Sequence, residues 1–139
     1  MPTTTVRWIT GKQFVGMDSN KHSVVISGED EPDGLRPSEL LLLSLSACTA
    51  YDVVEIRSKK RKPVSMLEII TTGEHDPEAP WPYRKIHLKY RLSGKDLSDK
   101  AVEQAIDLSE KKYCSVSATV RGVAKITTEY EIVPIENRK

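Results

Sequence analysis

The 139-residue chain carries 21 lysine and arginine residues against 20 aspartate and glutamate residues, which gives a net charge of +1. This balance provides no electrostatic reason to expect nucleic acid or an anionic membrane as a partner. The apolar share of 38% and the charged share of 29% exclude the composition of a disordered chain. The length favours one domain over residues 1–139, with one sizeable core.

Three features of the sequence bear on cellular location. The N-terminal residues MPTTTVRW lack the basic start and apolar stretch of a signal peptide. Two cysteines 66 positions apart are too few for the disulfide framework of a small secreted protein. The most apolar stretch, residues 40–50, is far shorter than the roughly 20 residues that a membrane helix needs. We therefore expect a cytoplasmic protein without a membrane segment.

The first third of the chain predicts three short strands separated by turns. These strands cover Thr4–Ile9, Gln13–Met17 and Ser23–Ser27, which favours an antiparallel meander. A polar loop over residues 28–36 follows, dense in turn-forming residues. The loop ends at Pro37, a residue favoured at the first position of a helix because its missing amide hydrogen would have no partner there.

A long helix is predicted from Pro37 to about Lys60. Its first turns have no polar face, so they must be covered on all sides. One small domain can barely supply that cover, and we therefore expect a homodimer. The basic run Arg57–Lys62 is interpreted as a solvated helix end that complements the helix dipole, in preference to a nucleic-acid patch. The apolar residues in the first turns of this helix are Leu40, Leu41, Leu42, Leu43, Leu45 and Ala47.

The second half of the chain predicts three strands and one helix. Strands are expected over Val64–Thr72, Tyr83–Leu92 and Thr119–Val133, and a helix over Ser98–Lys112 with Ser98 as its N-cap. The middle strand gives the clearest signal, since apolar and charged residues alternate along it as in a sheet with one wet face. The alternating apolar residues are Ile86, Leu88, Tyr90 and Leu92.

The only two cysteines, Cys48 and Cys114, are the first candidates for chemistry. Spacing alone favours an inert role, because a free cysteine is most often a small buried hydrophobic residue. There is no CxxC motif and no Cys/His cluster at the spacing of a zinc site, so we expect no metal and no cofactor. Asp52 and Glu55 follow Cys48 on the same helix face, and we interpret them as helix polarity where burial ends.

Two segments carry a resemblance to a known family. The segment GLRPSELLLLSLSACTAYDVV at residues 34–54 contains a cysteine eleven positions after the helix-initiating proline, and DLSEKKYCSV at residues 107–116 contains the other cysteine. Together they resemble the OsmC/Ohr family, most closely its less characterised OsmC-like branch. The resemblance implies an α+β OsmC-like fold of antiparallel sheets packed on a long central buried helix and a second helix. It also implies an intertwined homodimer with two active sites near the interface.

Characterised members of this family are thiol peroxidases that prefer organic hydroperoxides. The resemblance therefore implies that Cys48 is the peroxidatic thiol, oxidised to a sulfenic acid, and that Cys114 is the resolving thiol. An organic hydroperoxide would be the substrate, an external dithiol would reopen the disulfide, and the role would be oxidative stress defence.

The family's activating residues match this sequence only in part. In the characterised peroxidases an arginine of the N-terminal strands stabilises the thiolate and is oriented by a glutamate directly after the proline. Ser38 occupies that glutamate position here. Glu39 lies about two and a half turns before Cys48, which places it on the opposite face of a straight helix. The candidates for the activating cation stay open and are Arg7, Lys12 and Arg36.

Two other functions remain alternatives to a peroxidase. One is a small-molecule binding protein that keeps the fold and an apolar interface pocket but has lost efficient peroxide chemistry. The other is a redox sensor in which the disulfide alters a partner contact. Ser38 is the feature that favours these alternatives, and fold analogy alone does not separate the three.

Overall fold

The computed structural model describes residues 1–135, which divide into two compact units, residues 1–41 and the part from Leu42 onward. Each unit contains one three-stranded sheet. Two sheets and three helices make the protein α+β, which confirms the predicted class. That the chain behaves as one domain stays a prediction.

The N-terminal unit is built on the predicted meander. Strands β1 (Thr5–Thr10), β2 (Gln13–Met17) and β3 (Ser23–Ser27) pair antiparallel in that order. Gly11, with φ of 49°, closes the tight turn between β1 and β2, a conformation that glycine adopts without steric cost. The Trp8 indole donates a hydrogen bond of 2.8 Å to the Gly11 carbonyl and fixes that turn.

Helix α1 (Pro37–Lys59) begins at the predicted proline and ends within one residue of the prediction. Its end is set by Arg61, which adopts the left-handed region with φ of 58°. The amide of Lys62 then donates to the Arg57 carbonyl at 3.1 Å, as in a Schellman motif. The helix therefore terminates through its own backbone, although the left-handed position is not occupied by glycine.

From Leu42 onward, α1 buries one face and exposes another. Leu45, Thr49 and Val53, each one turn apart, are buried. The opposite face is apolar yet exposed in the single chain, so the expectation that the leucine-rich turns are covered on all sides is not met within one chain. The members of this exposed face are Leu43, Ala47, Tyr51 and Val54.

The basic run at the end of α1 is solvated only in part. Arg57 continues the buried series one turn after Val53 and is only 4% exposed, so the prediction of a solvated helix end is wrong at this residue. The reason is its position on the face that packs inward. Residues 58–62 are exposed, as expected.

The second sheet is mixed. Its strands are β4 (Met66–His75), β5 (Tyr83–Ser93) and β6 (Lys125–Ile132), with β5 in the centre. β4 pairs antiparallel with β5, but β6 runs parallel to it, which corrects the expectation of purely antiparallel sheets. A parallel pair needs a long crossover, and the helices between β5 and β6 supply it.

The core lies against the central strand. The predicted alternation along β5 is confirmed, because its apolar positions are at most 1% exposed. They pack with Leu45 and Val53 of α1 and with Val102 and Ala105 of the helix that follows β5. The buried β5 positions are Ile86, Leu88, Tyr90 and Leu92.

The crossover contains two helices and a π-helical turn. α2 (Asp99–Leu108) is capped by Ser98, whose hydroxyl accepts the Ala101 amide at 3.2 Å, as predicted. The predicted helix continues to Lys112 only as a π-helical turn over Ser109–Tyr113, and α3 (Ser115–Val120) follows.

The predicted strand Thr119–Val133 is wrong at its start. Thr119 and Val120 end α3, and the strand begins only at Lys125. Their β-branched side chains favour a strand, but the Thr119 hydroxyl is satisfied within the helix, where it donates to the Ser115 carbonyl at 2.8 Å. Among the residues described, none of the helices is long and apolar enough to span a bilayer.

Candidate active site

The structure brings the two cysteines together. Cys48 lies on α1 and is half-buried, whereas Cys114 lies just before α3 and is 3% exposed. Both thiols are free. Their sulfur atoms and a carboxylate oxygen of Asp52 all lie within 4.8 Å of one another. The distance in sequence between the thiols is therefore closed by the fold, and a carboxylate stands beside them.

Ser109 connects the two segments that carry these groups. Cys48 and Asp52 are one turn apart on α1 and share a face. The Ser109 hydroxyl donates to the Asp52 Oδ2 atom at 2.8 Å. The Ser109 carbonyl accepts the Cys114 amide at 2.8 Å, which is the bond that closes the π-helical turn. Such turns occur frequently at functional sites, and here the turn sets the position of Cys114.

Burial keeps the Cys114 sulfur protonated. Its enclosure raises the pKa of the Cys114 thiol to about 11, and its hydrogen bond to Cys48 adds to this effect. The Ser117 amide donates to the Cys114 sulfur at 3.2 Å and favours the thiolate, so it offsets part of the increase. Cys114 is therefore a thiol at neutral pH in the reduced protein.

Further polar groups surround the thiols in a poorly hydrated environment. Burial raises the pKa of Tyr90 to about 12, and the Glu110, Cys114 and Asp52 groups near it act in the same direction. Burial also raises the pKa of Glu110, partly opposed by the positive charge of Arg121. Burial thus favours the neutral forms of Tyr90 and Glu110.

The candidate activating cations belong to the N-terminal unit. Arg7 lies on β1. The Lys12 ammonium donates to the Asp30 carboxylate at 3.1 Å, and the Arg36 guanidinium donates to the Glu29 carbonyl at 3.1 Å. Which of the three cations stabilises a thiolate stays a prediction.

The first turn of α1 holds the two remaining sequence candidates. Ser38 directly follows the proline, and Glu39 is the acidic residue of that turn. The position that carries a glutamate in the family pattern is therefore occupied by a serine, and Glu39 follows it. An orienting role for either residue stays a prediction.

Two residues of the site were missed or discounted by the sequence analysis. Asp52 was interpreted as helix polarity, yet it contacts Ser109 and stands beside both sulfurs. A signal for it existed, because Asp52 follows Cys48 by four positions on a helix. Ser109 had no such signal, since its role depends on the π-helical turn.

Comparison with known proteins identifies the family. The family model described as "OsmC-like protein" matches residues 28–129. The chain belongs to the OsmC family. Protein YhfA from Escherichia coli K12 is 37% identical to this OsmC-family chain over 128 residues, which cover 92% of the chain and 96% of YhfA.

Solved structures support the same assignment. A hypothetical protein from Aquifex aeolicus VF5 is similar with a TM-score of 0.82 and 31% identity, covering 96% of this chain and 98% of that one. The organic hydroperoxide resistance protein OhrB of Bacillus subtilis has a TM-score of 0.64 and 15% identity, covering 94% and 98%. The likeness to OhrB shows a shared fold, and the predicted OsmC-like fold is confirmed.

Proposed function

We propose that this OsmC-family protein is a thiol-dependent peroxidase that reduces organic hydroperoxides through Cys48 and Cys114, in oxidative stress defence. The observation that carries the proposal is the convergence of two free thiols, one half-buried and one buried, from distant parts of the chain. The name of OhrB, an organic hydroperoxide resistance protein of the same fold, supports the substrate class.

Cys48 is the thiol that attacks the peroxide. It is the more accessible of the two, and a peroxide can approach it from outside the core. Its thiolate forms a bond to one peroxide oxygen while the oxygen–oxygen bond breaks. The sulfur becomes a sulfenic acid, and the alkoxide leaves as an alcohol after taking up one proton.

Cys114 resolves the sulfenic acid. Its sulfur attacks the Cys48 sulfur, the disulfide forms, and the hydroxyl group leaves as water with the Cys114 proton. The two sulfurs lie within 4.8 Å, so side-chain movements of no more than about 3 Å bring them to the roughly 2.05 Å of a disulfide. An external dithiol then reduces the disulfide and returns both thiols.

A homodimer in the cytoplasm completes the proposal. The exposed apolar face of α1 requires cover, and a second copy supplies it by presenting the same face. A reducing compartment suits a pair that must return to free thiols in each cycle.

A second candidate function is a binding or redox-sensing protein with little peroxidase activity. Ser38 favours it, because the carboxylate that orients the activating cation in the family pattern is absent at that position. In this case the thiols oxidise slowly and the disulfide, or a bound ligand, carries the function.

A turnover assay separates the two candidates. Hydroperoxide consumption is followed with cumene hydroperoxide or hydrogen peroxide, with dihydrolipoamide as the dithiol. We expect fast consumption of the organic peroxide by the wild type, none by Cys48→Ser, and slower consumption by Cys114→Ser, in which the dithiol must reduce the sulfenic acid directly. Glu55→Gln, on the same helix, serves as the control and retains activity. Consumption that is unchanged in Cys48→Ser would refute the peroxidase, and intact thiols in excess peroxide would favour the second candidate.

A further inference from the structure

The donor atoms at the thiol pair have the composition and spacing of a metal site. Two sulfurs and a carboxylate oxygen lie within 4.8 Å of one another. Around a tetrahedral zinc ion, with bonds of about 2.3 Å to sulfur and 2.0 Å to oxygen, ligand atoms stand about 3.5 to 3.8 Å apart. Small rotations of the Cys48, Asp52 and Cys114 side chains therefore suffice to place all three on one ion.

The surrounding structure orients these donors. Cys48 and Asp52 project from the same face of α1, one turn apart. The Ser109 hydroxyl donates to one Asp52 oxygen at 2.8 Å, and a carboxylate held in this way still has a second oxygen that can bind an ion. The Cys114 amide is bonded to the Ser109 carbonyl, so the second sulfur is held from the same residue. Hydrogen bonds of this kind to a ligand side chain are typical of the outer shell of metal sites.

We propose that the reduced protein binds one thiophilic divalent cation of the zinc class through Cys48, Asp52 and Cys114, and that binding and thiol oxidation exclude one another. Two thiolates select zinc-class ions over magnesium and calcium, which prefer oxygen ligands. Three protein ligands leave a fourth position for water. This proposal goes beyond peroxide reduction and stands whether or not the thiols turn over peroxide.

The exclusion follows from the chemistry of the sulfurs. Both cysteines bind the ion as thiolates, so binding releases the protons that the thiols carry. Oxidation by one hydroperoxide with two protons converts the bound thiolates to a disulfide and yields the free cation, one alcohol and one water. The disulfide sulfurs carry no charge and are no longer thiolate ligands. Oxidation therefore releases the ion, and the disulfide form no longer binds it.

Metal titration of the chelator-treated, reduced full chain without oxygen tests the proposal. Zn²⁺ is competed against a chromophoric chelator, and Co²⁺ reports thiolate ligation through its charge-transfer absorption. We expect one ion per chain, release of protons on binding, and loss of the charge-transfer band in Cys48→Ser and in Cys114→Ser. Asp52→Asn should weaken binding by at least about 100-fold, and Ser109→Ala by about tenfold.

Two controls keep the outcome decisive. Glu55→Gln removes the same charge from the same helix and should leave the affinity unchanged, since Glu55 pairs with Lys59 at 3.4 Å. Wild type carrying the disulfide should bind at least about 100-fold more weakly than the reduced chain. Equal binding by the oxidised and reduced chains, or equal losses in Asp52→Asn and Glu55→Gln, would overturn the proposal. Because no peroxide is present, these results are independent of the peroxidase assay.

Discussion

The reactivity of the Cys114 thiol in the reduced protein should depend steeply on pH up to high values. With a pKa of about 11, Cys114 carries about one thiolate in a thousand molecules at pH 8. An ordinary cysteine with a pKa of about 8.5 carries about a quarter of its sulfur as thiolate at that pH. The thiolate is the form that iodoacetamide attacks. Cys114 should therefore react about 100-fold or more slowly than an ordinary thiol, with Cys48 alkylated first.

The pH profile separates this electrostatic effect from simple shielding. A shielded thiol with an ordinary pKa reacts slowly at every pH, but its rate levels off above about pH 8.5. A thiol whose pKa is raised gains about tenfold in rate per pH unit and continues to rise through pH 10. Peptide mapping by mass spectrometry after timed alkylation of the wild type gives the rate of each cysteine, and the urea-unfolded chain, in which both cysteines should react alike, is the control.

A Cys114 rate that has levelled off by about pH 9.5 would refute the reasoning. The same shift also has a consequence for stability. The pKa of Cys114 is higher in the folded protein than in the unfolded chain. The neutral Cys114 thiol therefore contributes its full stabilisation of the fold below about pH 9, and this stabilisation is lost as the pH rises towards 11. The free energy of unfolding of the wild type should therefore fall over this range, and that of Cys114→Ala should fall less.

Three further predictions concern folding and assembly. Leu45→Ala should lower the free energy of unfolding by about 2 to 5 kcal/mol in urea denaturation, because the side chain is only 1% exposed; a loss below about 1 kcal/mol would contradict its place in the core. Arg61→Gly should raise the free energy of unfolding by about 1 kcal/mol, because glycine adopts the left-handed region without strain, whereas Lys62→Gly should not; equal effects would count against the helix end described. If the proposed dimer forms through the exposed face of α1, Tyr51→Asp should yield a monomer in sedimentation equilibrium and leave the fold intact, with Lys100→Asp as the exposed control; an unchanged mass would place the interface elsewhere.

Local patterns predicted most of the fold. The meander, the start of α1 at Pro37 and the alternation along β5 each depend on neighbours within a few residues, and each is confirmed. The parallel direction of β6 was not predicted, because the direction of a strand depends on its crossover and not on its own alternation. The prediction that Arg57 is exposed was wrong for a similar reason. Its charge favours solvent, but its position on the inward face of α1 decides its burial.

The site was only partly visible in the sequence. Cys48 and Cys114 were singled out by resemblance, and spacing alone gave neither thiol a role. Their proximity arises from the crossover that brings the segment before α3 onto α1, which no local pattern encodes. The contribution of Ser109 depends on a π-helical turn, whose formation is decided by tertiary packing. The position of Asp52 beside Cys48 does have a local signal, because residues four apart on a helix are neighbours on one face.

The most direct test of the thiol mechanism is the intact mass and free-thiol content of the reduced protein after one equivalent of cumene hydroperoxide. We predict that the wild type rapidly loses two hydrogen atoms and both thiols, that Cys114→Ser gains one oxygen as a sulfenic acid, and that Cys48→Ser does not react. A wild type that keeps both thiols through excess peroxide would contradict the dithiol mechanism.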